Sequence, residues 1–198
     1  LLFCCENQAV EKRPAEKFLG IDFAMHGLGV FSTGEKADYP MFYRRAEKKL
    51  AREQRRLSKC QKGSRNYGKQ KKRVALCHEK IRNQRKDFQH KLSTSLAKKY
   101  DAVCVEDLSL KAMAGGLHFG KGVHDNGYGQ FLAMLEYKLE ERGKYLVKVN
   151  RYFASSKICS MCGKKKTRLS LSERIYYCEC GNRMDRDVNA AVNIMNEG

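Results

Sequence analysis

The sequence predicts a mixed α/β domain with a small metal-binding module inserted near its C-terminal end. Short apolar runs of β type alternate with longer helical patterns, and four of the nine cysteines crowd into residues 159–180. The predicted order is a strand hairpin, two helices, a strand, a helix, a strand, the metal module and a final helix. A chain of 198 residues is long enough for one compact domain with such an appendage.

The predicted sheet comes from four short apolar runs. Residues 18–25 form the first run and residues 28–32 the second, and the Ser-Thr-Gly-Glu turn at 32–35 supports a hairpin that opens the sheet. Residues 102–106 are typical of a buried strand and end in a pair of acids. Residues 145–149 form the last predicted strand.

Two helices are predicted between the hairpin and the third strand. Apolar residues recur at three- and four-residue steps over residues 41–57 and again up to about residue 99. The polar, glycine-containing residues 61–68 separate the two patterns. Because the connection is short, we expect an antiparallel helical hairpin over residues 41–99. Its apolar stripe is better explained as the seam between the helices than as a cofactor site.

Two further helices are expected in the second half of the chain. One starts near Asp125, with His124 or Asp125 as its cap, and stops at Gly143. The last runs over residues 187–195. The glycine-rich residues 115–129 match neither a Walker nor a Rossmann phosphate-binding pattern, so we expect a mobile loop there.

The charge of the chain is strongly positive and unevenly placed. The formal net charge is +18, and residues 44–99 alone hold 21 Lys and Arg against four acidic residues. Nucleic acid is the first partner that such an excess indicates, because contact with each phosphate releases a counterion. The alternative is a solvated helical face that happens to be basic.

No part of the sequence predicts secretion or a membrane span. The chain starts at Leu1 without a signal-peptide pattern and has no run of about 18 apolar residues. The scattered cysteines other than the C-terminal four suit a reducing compartment. We therefore expect a soluble, intracellular protein with no membrane partner, whose first residues look cut from a longer chain.

Three acids lie at positions where a carboxylate without a partner would be unfavourable. Asp22 lies inside an apolar run, Glu106 closes the third strand, and Asp187 opens the final helix. A buried carboxylate costs several kcal/mol unless it is paired or binds a metal. If the two strands are neighbours, the three carboxylates converge on a divalent-cation site. The alternatives are a helix cap for Asp187 or Asp185 and a polar strand end for Glu106.

The four clustered cysteines have metal-ligand spacing. Cys159 and Cys162 form a CxxC knuckle, and Cys178 and Cys180 follow after 15 residues as a CxC. Four thiolates so spaced suit a closed, tetrahedral Zn²⁺ site. The short CxC loop can distort it, and a redox pair is the alternative for the CxxC alone.

Several motifs together resemble the TnpB family, the nucleases encoded by insertion sequences and related to type V CRISPR effectors. Gly20-Ile21-Asp22 resembles the first RuvC motif of that family, and Val105-Glu106-Asp107-Leu108 resembles the second. The segment from Arg151 to Cys159 and the segment Asp185-Arg-Asp187-Val-Asn189-Ala-Ala resemble the ribbon entry and the third motif. The resemblance covers roughly residues 18–195.

The resemblance implies an RNase H-like (RuvC) fold and RNA-guided cleavage of target DNA with Mg²⁺ or Mn²⁺. It implies Asp22, Glu106 and Asp187 as the catalytic, metal-binding acids, with Asp185, Arg151 and Asn189 as possible accessory residues. Asp185 is the second choice in the third motif. Arg151 would steady a scissile phosphate or anchor the ribbon, and Asn189 would orient the acids.

The resemblance also implies a division of the chain. The N-terminal lobe that grips guide RNA in this family is missing, so the sequence corresponds to the C-terminal half of a typical member. The expected parts are a tail of that lobe at 1–17, a nuclease core at 18–156 with the basic hairpin, a zinc ribbon at 157–182 and the final motif with its helix at 183–198. The alternatives are a nuclease-silent RNA- and DNA-binding module and a truncated, inactive remnant. The sequence leaves the oligomeric state open.

Overall fold

The computed structural model describes residues 10–24, 27–109, 125, 127–170 and 172–198. Within these ranges the strands are β1 Phe18–Phe23, β2 Gly29–Phe31, β3 Ala102–Glu106, β4 Tyr145–Val149, β5 Ile175–Tyr177 and β6 Arg183–Asp185. The helices are α1 Phe42–Ser58, α2 Arg65–Lys99, α3 Tyr128–Glu140 and α4 Arg186–Glu197, with a 3₁₀ turn at Ser155–Lys157. The predicted mixed α/β order is confirmed. Most of the predicted glycine-rich loop lies outside the described residues.

Four strands form one mixed sheet in the order β2-β1-β3-β4. Strand β2 pairs antiparallel with β1, as the predicted hairpin requires, while β1, β3 and β4 run parallel. The register pairs Ile21 with Val105. Asp22 follows Ile21 and Glu106 follows Val105, so the two acids lie level with each other on neighbouring strands.

The alternation of side chains along each strand gives the sheet two faces. Leu19 and Ile21 belong to the main core, which also takes in the buried residues of α3 and the end of α2. Gly20, on the opposite face, lies against α4, where an added Cβ would stand 1.9 Å from the carbonyl oxygen of Ala191. Only glycine allows this approach. Asp22 therefore shares its face of the sheet with α4.

The two long helices α1 and α2 pack together as the predicted hairpin. The Gln70 side chain donates to the carboxylate of Glu53 at 2.8 Å and to its carbonyl at 3.0 Å, which fixes the two helices to each other. The seam is only partly closed, since Leu76 remains half exposed beside a groove of about 730 Å³. In the described part of the chain, no helix is both long enough and apolar enough to cross a membrane.

Asp125 caps a different helix from the one predicted. Helix α3 begins after Gly127, which has a positive φ of 60° and, as a glycine, has no side chain to cap the helix. The buried carboxylate of Asp125 instead accepts from the backbone N–H of Tyr43 at 3.0 Å and of Arg44 at 3.3 Å. It thus caps α1, whose own N-cap residue makes no such bond. The other predicted cap, His124, lies outside the described residues.

We expect the Asp125→Ala substitution to lower the free energy of unfolding by about 2 kcal/mol, because it leaves helix N–H groups without an acceptor. The hydroxyl of Tyr39, which donates to Asp125, would lose a partner as well. Urea unfolding would measure the loss, with Asp38→Ala, at an exposed acid, as the matched control. Equal stability of the two variants would contradict the capping role.

Candidate acidic site and cysteine cluster

The two strand acids stand side by side on the face of the sheet that α4 covers. Asp22 follows the buried Ile21 in β1, and Glu106 is the last residue of β3. Burial raises the pKa of the Asp22 carboxyl well above its usual range. The carboxylates of Glu106, Asp187 and Asp185 raise it further, while Arg186 opposes them. The raised pKa therefore reports that acids from β1, β3 and the start of α4 interact.

Tyr128, at the start of α3, adds an apolar wall to this acidic site. Its ring is buried and packs against Phe23 in a tilted arrangement, with the ring centroids 4.6 Å apart. Burial raises the pKa of the Tyr128 phenol, and Asp22 and Glu106 raise it further. The carboxylates thus lie beside buried aromatic surface, where water screens their repulsion less than it does in the open.

The structure separates the roles of the two acids at the start of α4. The Asp185 side chain accepts from the backbone N–H of Asp187 at 2.8 Å and of Val188 at 3.3 Å, so Asp185 is the N-cap. It also lies 3.6 Å from the amine of Lys36. The Asp187 carboxylate makes no capping bond and pairs with Arg186 at 3.4 Å. The helix-cap alternative therefore applies to Asp185 and leaves Asp187 available for another role.

The carboxylates interact without being drawn tightly together. In the described residues, the four cysteines are the only group of three or more potential ligands close enough to hold one ion. The hydroxyl of Ser155 donates to Glu106 at 2.6 Å, and the guanidinium of Arg186 holds Asp187. Carboxylate oxygens are the hard ligands that Mg²⁺ and Mn²⁺ prefer, so the donor set fits such cations in chemistry.

The four cysteine thiols meet in one cluster. Two knuckles supply them, one before the β5–β6 hairpin and one at its turn. The ligand atoms all lie within 4.8 Å of one another, and the Cys159–Cys180 and Cys162–Cys178 sulfur pairs are 3.6 Å apart. Neighbouring sulfurs of a tetrahedral zinc site with bonds of about 2.3 Å stand about 3.8 Å apart. The short CxC knuckle therefore still allows the geometry that Zn²⁺ needs.

The thiols of the cluster differ in acidity. Burial opposes ionisation of Cys159, but hydrogen bonds from the Asn182 side chain and the backbone N–H of Cys162 lower its pKa to about 6. At Cys180 the backbone N–H of Asn182 favours the thiolate, yet burial and the surrounding sulfurs raise the pKa to about 12. Four thiolates this close repel one another, and a bound cation is what would let all four ionise.

Asn189 does not contact the acids that it was expected to orient. Its buried side chain donates to the carbonyl of Ile158 at 2.7 Å and accepts from the N–H of Ser160 at 3.1 Å. The predicted role of Asn189 in orienting the acids stays a prediction. Asn189 lies on α4 and bonds the backbone of the first cysteine knuckle, so it anchors that knuckle to the helix.

Arg151 lies just after β4 and is half exposed. Its guanidinium contacts the carboxylate of Asp107 at 2.5 Å, next to Glu106 in sequence. This pair ties the end of β4 to the end of β3, and it places a cation one residue from a predicted catalytic acid. Whether Arg151 also meets a phosphate stays a prediction.

No sequence pattern marks three residues of the site. Ser155, Arg186 and Tyr128 contact or influence the acids, yet none of them has a residue type or spacing that marks it beforehand. The only signal was positional, since Ser155 and Arg186 lie inside the two late family-like segments. Ser155 and Tyr128 meet acids that are distant in sequence, whereas Arg186 pairs with its direct neighbour Asp187.

Comparison with known proteins assigns the family. Residues 2–116 match the family model OrfB_IS605, described as "Probable transposase", and residues 128–194 match the model "Cas12f1-like, TNB domain". A Streptomyces pristinaespiralis protein named "Putative RNA-guided DNA endonuclease" is 38% identical over 194 residues, which cover 98% of this chain. The chain belongs to the TnpB (OrfB) family.

Other relatives agree with this assignment. The TnpB-like protein L79 of Acanthamoeba polyphaga mimivirus is 34% identical over 154 residues, covering 73% of this chain and 26% of that protein. The match to the Streptomyces protein covers 48% of its length, so this TnpB-family chain spans about half of that relative.

Solved structures show the same fold. A cryo-EM structure described as a Cas12f1–sgRNA–target DNA complex aligns with a TM-score of 0.63 at 21% identity, covering 94% of this chain and 51% of that one. A CRISPR-Cas12f ternary complex aligns with a TM-score of 0.64 at 20% identity, covering 98% and 41%. At these identities the likeness concerns the fold alone.

We expect the purified TnpB-family chain to carry about one Zn²⁺, and the Cys162→Ser variant to lose most of it. Removal of one thiolate should also lower the melting temperature, because a bound metal would stabilise the segment that carries the four cysteines. Elemental analysis and thermal unfolding would measure both effects, with Cys60→Ser as the control outside the cluster. Unchanged zinc content in the Cys162 variant would rule out this residue as a ligand.

We expect Asp22→Asn to stabilise the metal-free protein at neutral pH. A carboxyl whose pKa is raised on folding holds its proton more tightly when folded, so stability falls as pH rises from its unfolded to its folded pKa. Each tenfold gain in proton affinity on folding corresponds to about 1.4 kcal/mol of stability that is lost over this pH range. Thermal unfolding in chelator at pH 7 should show a higher melting temperature for Asp22→Asn. A lower one would indicate that the carboxylate is stabilising.

Proposed function

We propose that this chain is the catalytic core of an RNA-guided DNA endonuclease, with an RNase H-like (RuvC) fold that hydrolyses DNA phosphodiester bonds using two divalent metal ions. The observation that supports the proposal is the placement of Asp22 and Glu106 on neighbouring strands and of Asp187 at the start of the helix that covers their face of the sheet. Burial raises the pKa of Asp22, and the charges of Glu106 and Asp187 raise it further. A structural role does not explain why a fold would gather repelling charges beside a buried tyrosine.

The three acids would hold Mg²⁺ or Mn²⁺. When bound, the two ions supply an activated water and stabilise the leaving oxygen. Asp22, on the inner strand β1, would be one of the cation ligands, and burial together with the neighbouring acids raises its pKa. Glu106 and Asp187 would complete the site from either side. Ser155 and Arg186 hold these two carboxylates in defined positions.

The other segments of the chain would have separate roles. We infer that residues 18–156 form the nuclease core, 157–182 a zinc ribbon held by the four cysteines, and 183–198 the last catalytic motif. The basic residues of the ribbon, with Lys165, Lys166 and Arg168 among them, would meet nucleic-acid backbone. Lys164 is already paired with Glu179.

Guide RNA and target DNA are the proposed partners. The Streptomyces relative is named as RNA-guided, and one of the Cas12f structures contains sgRNA and target DNA. In this chain the basic hairpin of α1 and α2 supplies the matching charge, with most of its Lys and Arg side chains exposed. Because the chain spans about half of its relative, guidance itself would involve regions that the Streptomyces protein has in addition.

A nuclease-silent binding module and an inactive remnant are the competing functions. Both would tolerate the loss of a catalytic acid, since neither needs a metal site. All three acids are present, and they interact in the folded chain. The acidic site therefore favours the enzyme.

We expect Mg²⁺- or Mn²⁺-dependent cleavage of labelled single-stranded DNA by the purified chain, and a loss of at least about 100-fold in the Asp187→Ala variant. Asp185→Asn is the matched control, because asparagine also caps helices and should preserve both fold and cutting. Gel analysis of the labelled products would measure both.

Cleavage lost in Asp185→Asn but kept in Asp187→Ala would reverse the assignment of the third acid. If the wild-type chain does not cleave DNA, the decisive experiment adds the family's N-terminal lobe as a separate protein. A chain that binds DNA but remains inactive with its lobe would be a silent binding module.

A further inference from the structure

One short segment lies between the acidic site and the cysteine cluster and contacts both. It starts at Ser155, in the 3₁₀ turn after β4, and ends at Ser160, directly after the first thiol of the CxxC knuckle. We call residues 155–160 the bridge segment. Its first residue contacts Glu106 and its fifth residue is Cys159, so only a few residues of backbone separate the two sites.

The contact at the acidic end is specific. The hydroxyl of Ser155 donates to Oε1 of Glu106 at 2.6 Å, and Ser155 is buried. A short bond to a carboxylate is among the stronger neutral-to-charged hydrogen bonds. A glutamate side chain has several rotatable bonds, and this bond selects one orientation for it. With Oε1 engaged, Oε2 remains as the oxygen for a cation.

The backbone of the bridge segment is fixed by α4. Asn193, buried in that helix, donates to the carbonyl of Ser155 and to the carbonyl of Ile158, both at 2.7 Å. Asn189, one turn earlier, holds the carbonyl of Ile158 and the N–H of Ser160. Because the same helix carries Asp187 at its start, the segment, Glu106 and Asp187 are positioned against one rigid element.

We propose that Ser155 is a positioning residue for Glu106, and that an intact cysteine cluster, acting through the bridge segment, raises the affinity of the acidic site for divalent cations. The inference rests on the proposed function, since it assumes that the acids bind a cation. Partners that orient metal ligands typically change metal affinity by 10- to 100-fold when they are removed. Ser155 acts on the cation only through Glu106.

The neighbouring serine provides a matched control. Ser156 has the same chemistry and lies in the same turn, but its hydroxyl makes no hydrogen bond to the described residues. Ser156→Ala should therefore leave the acidic site unchanged. Ser155→Thr keeps the donor and tests whether the hydroxyl itself matters.

The test is Mn²⁺ binding to the zinc-loaded full chain, followed by the electron paramagnetic resonance signal of free Mn²⁺. We expect Ser155→Ala to weaken Mn²⁺ binding by about 10-fold or more, with Ser156→Ala and Ser155→Thr close to wild type. Equal affinity in wild type and Ser155→Ala would overturn the positioning role. Zinc content and melting temperature identify a variant that fails to fold, in which case Ser155→Cys, with a weak donor of similar size, replaces it.

A comparison of single and double variants tests the coupling between the cysteine cluster and the acidic site. Cys162→Ser should weaken Mn²⁺ binding when Ser155 is present and add little in the Ser155→Ala background, because both changes act on the same contact. Full additivity would overturn the coupling. Absence of Mn²⁺ binding by the wild-type chain, relative to an Asp22→Asn Asp187→Ala double variant, would instead count against the proposed function.

Discussion

Parallel pairing of β1 with β3 sets Asp22 and Glu106 level with each other on one face of the sheet. Two carboxylates there, with a third from α4, repel one another in a place that water reaches poorly. Among the described residues, the fold does not draw the three carboxylates tightly together. It holds the carboxylates individually, with Ser155 on Glu106 and Arg186 on Asp187, and leaves Asp22 with a raised pKa. The rest of the site follows from that arrangement.

Helix α4 connects every part of the site. Gly20 lets it approach the sheet, because any side chain at that position would collide with its backbone. Its N-cap, Asp185, fixes where the helix starts and hence where Asp187 stands. Further along, Asn189 and Asn193 bind the backbone that leads into the cysteine knuckle. One helix of 12 residues thus serves the acids and the cysteine cluster together.

The acidic site and the largest basic surface lie on different elements of the fold. The acids gather on the sheet, whereas the positive excess lies on α1 and α2, whose groove is lined by basic side chains over an apolar floor. Asp125 joins the two regions: it precedes α3 but caps α1. This arrangement is consistent with the proposed function, in which a cationic surface would hold a phosphate backbone while the acids hold cations.

Local patterns in the sequence were enough to predict the strand hairpin, the helical pair, the order of elements and the cysteine cluster, because periodicity and metal-ligand spacing are encoded over a few residues. The catalytic role of the three acids stays a prediction. The roles of Asp125 and Asn189 were not predictable in this way. Each side chain bonds backbone groups that are distant in sequence. The strand register and the packing of the helices decide which backbone groups these are. Ser155 is the same case, since a serine hydroxyl acquires its function only from the carboxylate that the fold places 2.6 Å away.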